Sequence, residues 1–148
     1  MQILAEPLTV PGEIFEERVI PSDAALVTPT VVRLVERLLE ENCFSRNQRG
    51  KIELCLDEAI TNAVIHGNDR DFTKSVHIRL WKDDSSWGVA ITDEGGGFTL
   101  DDISPNTEDS ELWNESGRGL ALLTLYMDAV TYFDNGRTLL LRREFESE

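Results

Sequence analysis

The stretch ELCLDEAITNAVIHGN, Glu53 to Asn68, decides how the chain is read. On a period of 3.6 residues, Ile52, Leu56, Ala59, Ile60 and Ala63 share one stripe, while Glu58 and Asn62 project together from its edge. A Glu/Asn pair one turn apart needs no ligand if that flank is solvated. Beside a buried stripe it would instead meet something polar. Spacing alone leaves both readings open, so the surrounding segments have to choose.

Upstream, Ser45 is placed to cap a helix over roughly 46–66, which Gly67 would stop. An earlier helix has Val31, Val32, Leu34, Val35, Leu38 and Leu39 as its apolar face. Thr28-Pro29 is either its cap with a first-turn proline or an internal kink. Before it, residues 13–20, EIFEERVI, read as a strand, followed by Pro21 and a Ser22/Asp23 capping signal.

Downstream, Val76, Ile78 and Leu80 share one strand parity and Trp87, Val89 and Ile91 another, joined by the polar turn KDDSS as a hairpin. Residues 98–116 then hold six carboxylates and no basic residue. A connector of that length inside a domain suggests a lid. GRGLALLTLYMDA places Leu120, Leu123 and Met127 at helical spacing, and VTYFDNGRTLLLRR forms a final hairpin about Asn135-Gly136. The order is strand, helix, helix, two strands, lid, helix, two strands. Helices on one face of a mostly antiparallel sheet make a two-layer α/β sandwich.

The 148 residues suit a single domain, residues 1–148, with the lid at 98–116. No apolar run reaches membrane-spanning length and the N-terminus lacks a basic start, so a soluble, cytoplasmic protein without a membrane anchor is expected. With 28 acidic against 14 basic residues, the net charge of −14 repels phosphate backbones and argues against direct nucleic-acid binding. A basic protein partner would be attracted, through a field that decays over about 8 Å at physiological salt. Cys43 and Cys55 lack metal-site spacing and read as reduced packing thiols.

Asp93 has the parity of Val89 and Ile91, which aims a carboxylate at the apolar side. Either the strand has turned outward by then, or a donor such as an adenine amino group meets it. EGGGF comes next, where Gly95, Gly96 and Gly97 permit positive φ and close approach. ESGRGLALL sets Gly117 and Gly119 at the front of an apolar helix, whose free N–H groups favour an anion; a simple capping loop would look the same.

Taken in order, these pieces resemble the histidine-kinase-like ATPase superfamily of gyrase-type topoisomerases, large heat-shock chaperones and bacterial anti-sigma serine kinases. EAITNAVIHGN is similar to its N-box, TDEGGGF to its first glycine box, SGRGLALL to its second, and NGRTLLLRR to its terminal strand. The resemblance covers residues 53–143 and implies the Bergerat ATP-binding fold, with a mixed, mostly antiparallel sheet. It implies ATP and Mg²⁺ as ligands, Glu58 as general base, Asn62 holding Mg²⁺ against the phosphates, and Asp93 receiving the adenine amino group. Gly95 and Gly97 would bend the chain around the base, Thr138 would stand on the adenine side, and Gly117 and Gly119 would bring donors to the phosphates. His66 is expected to be structural.

Within the superfamily the text is most similar to anti-sigma factor kinases. That implies a serine/threonine-protein kinase that binds a sigma factor and phosphorylates a small anti-anti-sigma protein, as a homodimer. The segment LTVPGEIFEERVIP is a place to look for dimer contacts, although its charges also suit a protected edge strand. One departure concerns the terminal phosphate: some members carry a basic residue just ahead of the second glycine box, where this chain has Glu115. Arg118 is either the substitute or a solvated surface arginine. A nucleotide-gated binding module without transfer activity and a histidine-kinase-type catalytic domain are the alternatives. The second is disfavoured because this sequence shows no accompanying dimerisation helix pair with a phospho-accepting histidine, and His66 and His77 lie in the wrong contexts.

Overall fold

The structure, a computed structural model, describes residues 2–97 and 121–145. In chain order it contains β1 (Gln2–Ile3), β2 (Glu13–Pro21), α1 (Val27–Glu40), α2 (Arg49–Asn62), β3 (Ser75–Lys82) and β4 (Ser86–Thr92). Helix α3 is described over residues 121–126 and is followed by β5 (Ala129–Phe133) and β6 (Thr138–Glu144). The six strands form one sheet in the order β1-β5-β6-β4-β3-β2. Every pairing is antiparallel except β1 with β5. This is the mixed two-layer α/β sandwich expected from the sequence, with β1 as an addition that a two-residue strand could not announce.

The core lies between the helices and one sheet face. Leu34, Val35 and Leu38 of α1 and Ile52, Leu56 and Ile60 of α2 are buried against Val76, Ile78 and Leu80 of β3 and Trp87, Val89 and Ile91 of β4. Leu139, Leu141, Val130, Leu123 and Met127 complete it. Each such large side chain contributes about 1.5–3 kcal/mol by leaving water. Val32, assigned to the apolar face of α1 by its spacing, is exposed. Cys43 and Cys55 are free and fully buried, and burial pushes their thiols up to about 12 and about 11, which keeps them un-ionised packing groups.

The helix starts resolve one by one. Helix α1 begins at Val27, so Pro29 sits in its first turn, where a missing N–H loses no bond. Thr28 is already helical and its hydroxyl faces Asp57 Oδ2 at 3.3 Å. Asp23 caps the 3₁₀ turn Ala24–Leu26 by accepting from the Ala25 N–H. Ser22 is instead buried, its hydroxyl donating to Lys74 O at 2.7 Å. Ser45 holds the position before the turn Arg46–Gln48 that leads into α2, but its side chain makes no capping bond there; the hydroxyl donates to Asn47 Oδ1.

On the face away from the helices, Trp81 pairs in register with Gly88, where a Cβ would strike both the Trp81 ring and Leu141 O. β1 and β2 are at opposite edges, so residues 4–12 must cross the sheet, and Gly12 lies against Trp81. That accounts for the burial of Ser86, Gly88 and Ala90 as well as their core-facing neighbours along β4.

Candidate functional site

The site is built where the C-terminal ends of α2 and β4 meet. After Asn62 the helix widens into a π turn over Ala63–Gly67, with the Asn68 N–H donating to Ala63 O at 2.9 Å, so the helical run ends at Gly67 as expected from the sequence. Gly67 has no positive φ. Its lack of a side chain serves close approach instead, because a Cβ there would land on the Asp93 carboxylate. Asp69 and Arg70, at φ 52° and 56°, then reverse the chain toward β3.

Asp93 comes directly after the last residue of β4. Its N–H donates to Arg137 O at 2.9 Å, so the pairing with the terminal hairpin runs one residue beyond the strand. The open question of its direction is settled: Oδ1 accepts the Gly95 N–H at 2.8 Å and Oδ2 rests against Gly67. Burial raises its pKa to about 6, against the lowering effects of the Gly95 N–H and the nearby Arg137 and Lys74. A Cβ on Gly95 would land on Gly67 O, and one on Gly97, at φ 76°, on Asn135 O. Among the three box glycines, Gly97 uses conformational freedom and Gly95 uses space.

Thr138, the first residue of β6, is buried with its hydroxyl 3.0 Å from that of Thr92, immediately before Asp93. Tyr132, also buried, has its phenol pKa raised by burial and by the Asp93 charge. Glu58 and Asn62 are half-buried in the last turn and a half of α2. Burial first, and then neighbouring Asp57, raise the Glu58 pKa; His66, half-buried in the π turn, opposes them.

The structure thus brings Asp93, Gly95 and Gly97 together with Thr138, and joins them to Glu58 and Asn62 through the π turn. Gly117, Arg118 and Gly119, Glu115 and the lid 98–116 lie outside the described residues.

Two residues that sequence reasoning passed over hold this arrangement. Asn68, fully buried, donates through Nδ2 to Ser22 Oγ (2.8 Å) and Ser75 O (2.9 Å) and accepts the Glu94 N–H through Oδ1 (2.7 Å). It clasps the end of the helix stretch to the start of the glycine box. Arg137 donates through Nε to Gly95 O (2.9 Å) and through Nη2 to Gly96 O (3.2 Å). The one available signal was position: each stands directly beside a residue already singled out, Gly67 and Thr138.

A helix end and two glycine-bearing turns around a desolvated carboxylate define a class of nucleotide-binding sandwich, and residues 20–143 match the histidine kinase-like ATPase domain. The chain belongs to that family, and membership implies a site for ATP. Among curated relatives it is similar to the anti-sigma F factor of Bacillus thuringiensis (strain Al Hakam), 33% identical over 88 residues, covering 57% of this chain and 60% of that protein. The anti-sigma F factor of Bacillus velezensis (strain DSM 23117 / BGSC 10A6 / LMG 26770 / FZB42) is 34% identical over 84 residues, covering 55% of this chain and 57% of that protein. The match therefore spans less than two thirds of the relatives' length. Among the described residues, no helix is long and apolar enough to cross a membrane.

Proposed function

We propose that this chain is a Mg-ATP-dependent serine/threonine-protein kinase and anti-sigma factor that phosphorylates a small anti-anti-sigma protein in a partner switch. The observation that carries the reading is the Asp93 carboxylate, desolvated in a cradle formed by Gly67 and Gly95 and one residue from the Thr92–Thr138 hydroxyl pair. An acceptor in that state suits a ligand with amino donors, such as adenine. The similarity to anti-sigma F factors supports the choice of partners.

Each residue has an assigned task. Asp93 and Thr138 bind the base edge, and Gly95 and Gly97 let the chain pass close to it. Glu58 takes the proton from the attacking hydroxyl; burial raises its pKa toward the working range of a general base. Asn62 offers a carboxamide oxygen to Mg²⁺, a hard cation that prefers oxygen ligands. Among the described residues no group of three or more His, Cys, Asp or Glu is placed to hold a metal, so phosphate and water oxygens would complete the shell. When bound, the ion neutralises phosphate charge. Gly117, Arg118 and Gly119 would meet the phosphates, and the acidic segment 98–116 would act as the lid over one domain of residues 1–148. The acidic surface favours a basic face on the sigma factor. A homodimer through the edge strand β2, acting in the cytoplasm without membrane or nucleic acid, completes the proposal.

The test mixes the protein with labelled ATP, Mg²⁺ and a candidate anti-anti-sigma partner from the same genome. Phosphoserine or phosphothreonine is expected on the partner, with Glu58→Ala slowing its formation about 10²–10⁴-fold. Nucleotide binding and partner capture without transfer would select the gated module instead, and acid-labile phosphohistidine the histidine-kinase type. Wild-type protein that takes no ATP ends all three.

A further inference from the structure

The assigned tasks leave out the turn behind the glycine box. Asp134 and Asn135 sit at φ 51° and 53°, with Gly136 after them at φ 90°. Successive left-handed residues without glycine cost backbone strain and persist only where surroundings over-determine them. The surroundings here come from the N-terminus. The Asp134 N–H donates to Glu6 O at 2.7 Å, the Asn135 N–H to Leu4 O at 3.1 Å, and the Leu4 N–H to Tyr132 O at 2.9 Å. From the held turn, Asn135 O packs against Gly97, and Arg137, itself donating to Asp134 O at 3.1 Å, reaches the carbonyls of Gly95 and Gly96.

We infer that Arg137 is a positioning residue for the base end of the nucleotide site, and that residues 4–6 are the clamp that holds it in place. The chain of contacts is continuous: residues 4–6 fix the turn, the turn fixes Arg137, Arg137 fixes the glycine carbonyls, and the Gly95 N–H fixes Asp93 Oδ1. A three-glycine segment loses more backbone freedom on ordering than any other, so ordering it before the ligand arrives removes that cost from binding. The guanidinium serves three carbonyls through three separate nitrogens held in one plane; a lysine would keep the positive charge near Asp93 but gather its donors on a single nitrogen, without the fork. This inference rests on the ATP reading, and its test separates the two.

Amide hydrogen exchange at Gly95 is measured in the full chain without ligand, for wild type, Arg137→Ala, Arg137→Lys and Leu4→Pro, and ADP is titrated into each by calorimetry. Losing a hydrogen bond of ordinary net worth is expected to speed exchange at Gly95 and weaken ADP binding by about tenfold in all three variants, while the amides of Leu34 and Ile60 keep their wild-type protection. Failure of Lys to rescue distinguishes positioning from the field of a cation. Wild-type exchange at Gly95 in Arg137→Lys and Leu4→Pro overturns the clamp, as does undiminished ADP affinity in Arg137→Lys. If wild type binds no ADP, the nucleotide reading falls by itself and the exchange rates still decide the clamp.

Discussion

At the β3–β4 hairpin end of the sheet, Glu41 accepts hydrogen bonds from Arg37 (2.6 Å) and Lys82, and both cations lie over the Phe15 ring. At the other end, Asp93 accepts a backbone N–H and Glu58 stands beside another carboxylate. The pKa values differ accordingly: Lys82 and then Arg37 pull Glu41 down, whereas burial pushes Asp93 and Glu58 up. One end is a saturated ion cluster in which each charge has its partner. The other keeps its carboxylates short of counter-charge, a state that costs stability and is useful where a ligand will supply donors or a proton will move.

The comparison breaks most severely at Asn68. Asn68→Ala removes a fully buried side chain that serves three partners: Ser75 O and the Glu94 N–H lose its bonds, and Ser22 Oγ loses a donor while keeping its own bond to Lys74 O. Each abandoned buried group costs about 1–3 kcal/mol, and partial relaxation brings the expected destabilisation to about 3 kcal/mol. Urea unfolding should show it as a lower midpoint with an unchanged slope. An Asn68→Ala protein as stable as wild type would mean that the Asp93 end is not held by this clasp.

Asp93→Asn sharpens the comparison from the other side. The folded-state pKa lies above the unfolded value, so the wild-type side chain contributes fully below 3.8 and loses that contribution as pH rises through about 6. The asparagine variant should match wild type near pH 3.5 and exceed it above pH 6, by about 1–3 kcal/mol on the scale of 1.36 kcal/mol per pH unit. Urea midpoints across pH 3.5–8 test this. The same variant should bind ADP less well, since a carboxamide presents one acceptor where the carboxylate has two. A gain in stability with a loss in binding is the behaviour expected of a functional group held at a cost.

The sequence carried the parts of this site that depend on residue type and spacing. The stripe Ile52, Leu56, Ala59, Ile60 and Ala63 is buried as its period requires, and the strand parities of Val76 to Leu80 and Trp87 to Ile91 hold. Gly67 ends the helical run where its position predicts, but without a left-handed φ. A glycine after a helix suggests a left-handed stop, and nothing in the local text reveals a carboxylate 26 positions later that takes the space of its side chain. Asn68 and Arg137 were unreadable for the same reason, because their bonds reach residues 22, 75 and 94 in one case and 95 and 96 in the other. The two-residue β1 is too short for any periodicity, and its value lies in the stretch it anchors, the backbone of Leu4 and Glu6.

The smallest effect is expected at the saturated end, from Glu41→Gln. The substitution keeps shape and leaves Arg37 and Lys82 facing a neutral amide. Because the folded-state pKa of Glu41 lies below its ordinary value, its contribution is present above the unfolded pKa and is lost as pH falls through the folded one. Wild type and variant should therefore converge in acid, as they do for Asp93→Asn, but with the opposite sign at neutral pH: here the variant is the less stable protein. These side chains are partly open to solvent, so the difference should fade in 1 M NaCl, where screening acts over about 3 Å. ADP affinity should equal that of wild type at either salt concentration. If Glu41→Gln weakens ADP binding while Asp93→Asn leaves it intact, the ligand is held at the hairpin end and the two ends exchange roles.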